Sequence, residues 1–336
     1  MLDIATIEKI DSQKMYAVYD MWPRIARESF ESKQNTLHFD NIDHVIFAGM
    51  GGSGAIGDMF ASILSKTKIH VNVVKGYLLP KTVDSDTLVV VISVSGNTVE
   101  TLAVLESAHK LGSKVIAFSS GGKIQKYCTK NKIEHRIIQQ YNSPRASFTS
   151  YLYSILNVLH SNFNIKKQDI LESIRGLENL SKKIGSGNLS DENPAFNLGK
   201  WITGVPIIYY PFGLQSAAIR FKNSLQENSK FHAMTEDVIE SCHNGIVAWE
   251  KESNFQPILL EGQDDHIKTK ERLKILKEYF NSNKIDYLGI SSVNGSILTK
   301  LINLIYLLDY ASIYTSVLNK IDPSPVKSII FIKKKL

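Results

Sequence analysis

The chain has 336 residues, 43% of them apolar and 21% charged, enough for two cores and too apolar for a disordered chain. Its net charge of +6 suits an anionic ligand, but the basic residues are scattered among acids with no stripe interleaved with aromatics, so no nucleic-acid partner is expected. Cys128 and Cys242 lie far apart without metal-ligand spacing, which predicts a reduced, cytoplasmic protein that binds no metal. Asp3, Glu8 and Asp11 stand where the apolar core of a leader would lie, so no signal peptide is expected.

Residues 1–40 read as a helical segment, with Met15, Val18, Trp22 and Ile25 at helical spacing before a polar stretch. Short apolar runs at Val45–Ala48, Ile69–Val74, Leu88–Ile92, Val115–Phe118 and Glu134–Ile138 then alternate with helical patterns, the rhythm of a doubly wound parallel sheet. A helix is expected over Phe148–Leu159, and Ile170, Ile174, Leu177 and Ile184 trace the face of another. The stretch 185–194, rich in Gly, Ser, Asn and Asp, reads as a domain boundary, dividing the rest of the chain into 41–184 and 185–336. Past it the alternation resumes, with strands at Val205–Tyr210, Pro257–Glu261 and Tyr287–Ile290 and helices at Leu214–Glu227, Lys268–Ser282 and Ser296–Leu318. This is an internal repeat by architecture. Ile297–Leu318 is the most apolar late segment, but Lys300, Asn303 and Asp309 within it predict a buried helix and no membrane span. A last helix is expected after Asp322-Pro323-Ser324-Pro325.

Two turns carry the chemistry. Gly49-Met50-Gly51-Gly52-Ser53-Gly54 follows the first apolar run, and Ser93-Val94-Ser95-Gly96-Asn97-Thr98 follows the third. Small residues at a strand-to-helix bend aim backbone N–H groups and a helix N-terminus at one spot, which favours a phosphate. The hydroxyls of Ser53, Ser93, Ser95 and Thr98 add donors without bulk. Gly49, Gly51 and Gly54 also satisfy the dinucleotide fingerprint, but that motif wants an acid at the end of the next strand. Here that strand ends in Lys75-Gly76-Tyr77, which counts against NAD and leaves only Lys75 to speak for NADP. No cofactor is expected. No Ser-Gly-Asn-Thr recurs in the second half, so one phosphate site per chain is expected.

Ser95-Gly96-Asn97-Thr98 followed by Glu100-Thr101, together with Gly51-Gly52-Ser53-Gly54, resembles the sugar isomerase (SIS) phosphosugar-binding domain. Pro144-Arg145-Ala146, Glu227-Asn228 after Arg220-Phe221-Lys222-Asn223, His243-Asn244, and the end from Asp322 through Lys333 resemble the archaeal-type bifunctional phosphoglucose/phosphomannose isomerases. The resemblance implies an α/β fold with two doubly wound SIS-type domains, plus flanking helices, the first binding phosphosugar and the second supplying catalytic groups. It implies a homodimer with a shared active site acting on hexose 6-phosphates without a metal or cofactor. A non-catalytic phosphosugar-binding regulator is the alternative, though no helix-turn-helix segment is read here.

Moving a carbonyl between C1 and C2 needs a base, a cation beside the enediolate, a ring-opening acid/base and a fixed phosphate. Glu227 is the candidate base, at the end of an amphipathic helix whose Arg220 and Lys222 would favour its ionised form. His243 suits ring opening, since an imidazole exchanges protons near neutrality, and the resemblance has this histidine come from the neighbouring subunit. The resemblance also implies an anion-stabilising Arg145 and a catalytic Lys333 on the last helix. Where that family tends to have His-Asn-Glu, this chain reads His243-Asn244-Gly245, losing a carboxylate beside the histidine. That departure bears on sugar preference and on the titration of His243.

Overall fold

A parallel strand is covered by crossover helices on both faces, so its sequence is a continuous apolar run. The computed structural model describes residues 2–335 and shows such runs on the central strands of two units: one holds Met21–Glu178 and Gly295–Leu301, the other the residues up to Asp20, Asn179–Asn294 and those from Ile302 on. The N-terminal segment is three short helices, α1 (Ile4–Ile10), α2 (Met15–Asp20) and α3 (Trp22–Phe30). Asp3 caps α1 by accepting from the Thr6 amide, and Pro23 stands in the first turn of α3, where its missing N–H costs nothing.

The unit that holds the glycine turns runs β1 (His44–Ala48), α4 (Gly52–Leu64), β2 (His70–Val74), β3 (Leu88–Ser93), α5 (Val99–Lys110), β4 (Lys114–Ser119), α6 (Gly122–Asn131), β5 (Glu134–Ile137) and α7 (Phe148–Leu159), then enters α8 (Lys167–Ile184). All five strands are parallel, in the order β2-β1-β3-β4-β5. Every residue of the central β3 is buried. On one face Ile46, Val89, Val91 and Ala117 pack with Val104, Leu105 and Ala108 of α5 and with Ile124 and Cys128 of α6. On the other, Phe47 stacks on Phe60 of α4 with ring centroids 4.7 Å apart. Trp22 of α3 is fully buried and donates its indole N–H to the Ala146 carbonyl at 3.0 Å.

The second unit contains α9 (Pro194–Trp201), β6 (Val205–Tyr210), α10 (Gln215–Ser224), β7 (Met234–Asp237), α11 (Val238–Ser241), β8 (Phe255–Glu261), α12 (Ile267–Ser282) and β9 (Leu288–Ser291). After these come α13 (Ile297–Leu318), whose first turn belongs to the other unit, and α14 (Lys327–Lys333). Its four strands are parallel in the order β7-β6-β8-β9, repeating β2-β1-β3-β4 with no fifth strand among the described residues. The periodicity reading missed β7, because Met-Thr-Glu-Asp carries no apolar run; it is an edge strand held by one neighbour. The helix expected over Leu214–Glu227 is also corrected. The α-helix stops at Ser224, and Leu225–Ser229 forms a π-turn closed by the left-handed Lys230.

Helix α13 is long and apolar enough to cross a membrane, yet 89% of its most apolar stretch is buried inside the protein. Its polar residues are used there. Asp309 is wholly buried and accepts from Arg220 Nε at 3.0 Å and Nη2 at 2.6 Å, from Ser224 Oγ at 2.6 Å and from Tyr19 Oη at 3.3 Å.

Candidate active site

In the order β2-β1-β3-β4-β5 the winding reverses between β1 and β3, and ligands of such sheets bind at that switch point, beyond the strands' carboxyl ends. The two glycine turns follow these two strands. They lead into α4 and α5, whose N-termini make no side-chain capping hydrogen bond. The Ser53 amide is bonded to the Met50 carbonyl at 3.0 Å, which leaves the Gly52 and Gly54 amides of α4 and the first amides of α5 to meet an anion. Thr98 occupies the cap position of α5, but its hydroxyl meets Ser93 Oγ at 2.9 Å. Ser53 accepts from the Val94 amide at 3.3 Å and stitches the first turn to the second, leaving its own proton to donate. Ser95 is half-buried and accepts from the Asn97 amide at 3.3 Å.

Close backbone contacts hold this cup. Gly96 has φ +65°, and a Cβ there would overlap the Gly121 carbonyl of the turn after β4. A Cβ on Gly52 would come within 3.0 Å of the Pro144 carbonyl oxygen and 3.2 Å of the Arg145 nitrogen. The segment Pro144-Arg145 is thus laid against the first glycine turn, and Arg145 is only 3% exposed. Gly52, Ser53, Ser93, Ser95, Thr98 and the Arg145 backbone therefore converge within one unit. Lys75 serves a different purpose: its ammonium pairs with Asp58 at 2.6 Å, one turn further along α4. That removes the one residue that spoke for a 2′-phosphate.

The corresponding switch point in the other sheet lies between β6 and β8. There the turn after β8 is filled by its own chain, for Asp265 Oδ2 accepts from the Gly262 amide at 2.7 Å, and His266 caps α12. A carboxylate stands where a phosphate would be cradled.

Glu227, His243 and Lys333 lie in this second unit on three separate elements. Glu227 is half-buried on the π-turn, whose next residues are pinned to α13: Asn228 Nδ2 donates to Ser312 Oγ at 2.8 Å and Ser229 Oγ to the Ser312 carbonyl at 2.7 Å. His243 follows α11, with its amide bonded to the Glu240 carbonyl at 2.9 Å and its ring exposed. Lys333 is exposed at the end of α14. The charge assigned to Arg220 is corrected: its guanidinium is buried against Asp309 and already matched by that carboxylate.

Residues 38–161 match the model of the SIS domain, and residues 191–336 that of the bacterial phospho-glucose isomerase C-terminal SIS domain. A bifunctional phosphoglucose/phosphomannose isomerase of Caldicellulosiruptor bescii is 32% identical over 332 residues, 95% of this chain and 98% of that protein. One of the same name from Aquifex aeolicus is 31% identical, covering 87% and 90%. The chain belongs to the bifunctional phosphoglucose/phosphomannose isomerase family. A solved structure, a hypothetical protein of Thermus thermophilus, matches with a TM-score of 0.76 at 13% identity, covering 98% of this chain and 91% of that one. At that identity it shows the fold alone. Membership in this isomerase family sets aside the regulator alternative.

Gly245, where the resemblance implied a glutamate, lies against a carboxylate from another element. A side chain at 245 would collide with the carboxylate of Glu236, which enters from β7. Sequence reading missed Glu236 because nothing local marks it; it lies on the unread strand. Burial, and then the neighbouring Glu240, raise its pKa above its ordinary value. A raised carboxylate pKa means the folded chain holds the proton more tightly than the unfolded one, so stability falls as pH rises through that window. Glu236→Gln is therefore expected to raise Tm at about pH 8 and to lose that advantage near pH 4, where the unfolded carboxyl also protonates. Thermal unfolding of both proteins across this range checks the sign; an equal Tm difference at both ends would show that the charge is not what matters.

Proposed function

We propose that this protein is an aldose–ketose isomerase interconverting glucose 6-phosphate and mannose 6-phosphate with fructose 6-phosphate through a cis-enediol. The observation that carries this reading is the pair of uncapped helix N-termini at the β1/β3 switch point, in a chain of this family. The turns bind the substrate's phosphate through the backbone N–H groups of Gly52 and Gly54 and the hydroxyls of Ser53, Ser93, Ser95 and Thr98. Holding that end fixes the register of C1 and C2.

His243 exchanges protons with the ring oxygen and the anomeric hydroxyl to open the sugar. Glu227 takes the proton from C2 while the C1 carbonyl becomes a hydroxyl, and Arg145 steadies the negative charge that develops. The same carboxylate returns the proton to C1 as the carbonyl forms at C2, with one proton passing from O2 to O1. Lys333 adds a second cation beside the substrate oxygens. No redox change occurs, so no nicotinamide is consumed. The region up to residue 184 serves as the phosphosugar-binding domain and 185–336 as the domain that supplies catalytic groups. The site belongs to a cytoplasmic enzyme of carbohydrate metabolism, at the step shared by glycolysis and gluconeogenesis.

Incubation with fructose 6-phosphate, with glucose 6-phosphate and mannose 6-phosphate measured separately, tests the reading. Formation of both aldoses is expected; formation of neither sinks it. In the homodimer proposed here, His243 reaches the site of the neighbouring subunit. Inactive His243→Ala and Glu227→Gln chains, mixed and reassembled, should then recover up to about a quarter of the wild-type activity, since random pairing gives one intact site in half the dimers. Verified mixed dimers without activity would place both residues in one subunit's site.

A further inference from the structure

The π-turn that carries Glu227 ends in Lys230, a non-glycine residue in the left-handed conformation with φ +60°. That conformation costs an L-residue roughly 1–2 kcal/mol, and glycine is the usual occupant of such a helix end. Here a lysine accepts the cost, and its side chain shows why. Lys230 Nζ donates to the carbonyls of Glu227 at 2.7 Å and Asn228 at 3.3 Å, and to those of Asp322 at 3.1 Å and Pro323 at 3.3 Å. Four oxygens share three ammonium protons. Two of them are carbonyls at the C-terminal end of the π-turn, where a cation is favoured. The other two form the corner before α14, and Ser324 in that corner is anchored to Asp11 Oδ1 at 3.2 Å.

We infer that Lys230 is a positioning residue for the isomerisation: its ammonium clasps the turn bearing Glu227 to the corner from which the C-terminal helix departs. It touches no substrate in this scheme. Asn228 and Ser229 hold the turn from the α13 side, so removing the Lys230 ammonium takes away the tether on the other side. The inference rests on the reading of Glu227 as the base and of Lys333, on α14, as a second catalytic group. A carboxylate that must meet two adjacent carbons is sensitive to such slack, since displacement by about 1 Å can cost 10²-fold in rate.

Lys230→Met keeps the stem and removes the ammonium. Lys230→Gly removes it too while relieving the left-handed backbone, so a loss shared by both variants is not a loss of fold. Each is expected to lower kcat roughly 10- to 10²-fold with KM little changed. Amide hydrogen exchange should become faster in both 225–230 and 322–333. Wild-type kcat in both variants, or unchanged exchange in the two segments, overturns the clasp. Glu227→Gln assayed in parallel keeps the two ideas apart. If Glu227→Gln remains active, the base assignment fails, and the clasp is then decided by exchange alone: faster exchange in both segments of Lys230→Met sustains it and unchanged exchange sinks it.

Discussion

Glu227→Gln is expected to bind sugar phosphate as the wild type does while isomerisation falls by at least ~10²-fold, the scale for loss of a general base. The substitution keeps the shape of the side chain and removes its basicity. The π-turn should survive it, because the hydrogen bonds of Asn228, Ser229 and Lys230 that anchor the turn do not run through the carboxylate. Exchange of the substrate's C2 proton with solvent should vanish in parallel, whichever aldose is supplied. Proton NMR of glucose 6-phosphate in D₂O, with wild type and variant at matched, saturated concentrations, makes the measurement. A variant that exchanges this proton at the wild-type rate would show that Glu227 is not the base.

The largest effect on stability is expected at Asp309. Its carboxylate and the Arg220 guanidinium are 0% and 3% exposed, and they meet at 2.6 Å with Ser224 and Tyr19 completing the oxygen contacts. Burial pushes the Asp309 pKa up, and Arg220 and the two hydroxyls oppose that push. Breaking such a pair from one side strands a buried charge and typically costs about 3–5 kcal/mol. Asp309→Asn should lose stability on that scale in urea unfolding. Arg220→Met with Asp309→Leu should lose less than the two single changes summed, because neither charge is then left alone. Additive losses would mean the two groups are not energetically coupled. Arg220 and Ser224 lie on α10, which leads directly into the π-turn that bears Glu227.

Several features were legible in the amino-acid order because their causes are local or periodic. Strands β1 and β3 announce themselves as Val45–Ala48 and Leu88–Ile92, since a strand buried on both faces has no polar positions to offer. Gly96 is legible for the same kind of reason: the backbone at φ +65° against the Gly121 carbonyl admits no other side chain. From those runs and turns the sequence alone determined a doubly wound parallel sheet with two glycine turns at its switch point, and its motifs pointed to the family. Other features depend on partners that no spacing reveals. The partner of Arg220 is Asp309, 89 residues away. The carboxylate beside Gly245 comes from Glu236, on an edge strand whose four residues carry no apolar run. The π-turn at Leu225–Ser229 continues an ordinary helical pattern in sequence. Only its tertiary anchors, Ser312 on α13 and the carbonyls of Asp322 and Pro323, decide that the chain gains a residue there and so where Glu227 is presented. Periodicity records how each segment meets water, whereas the anchoring of a single turn is a contest between hydrogen bonds that exists only once the distant segments have been brought together.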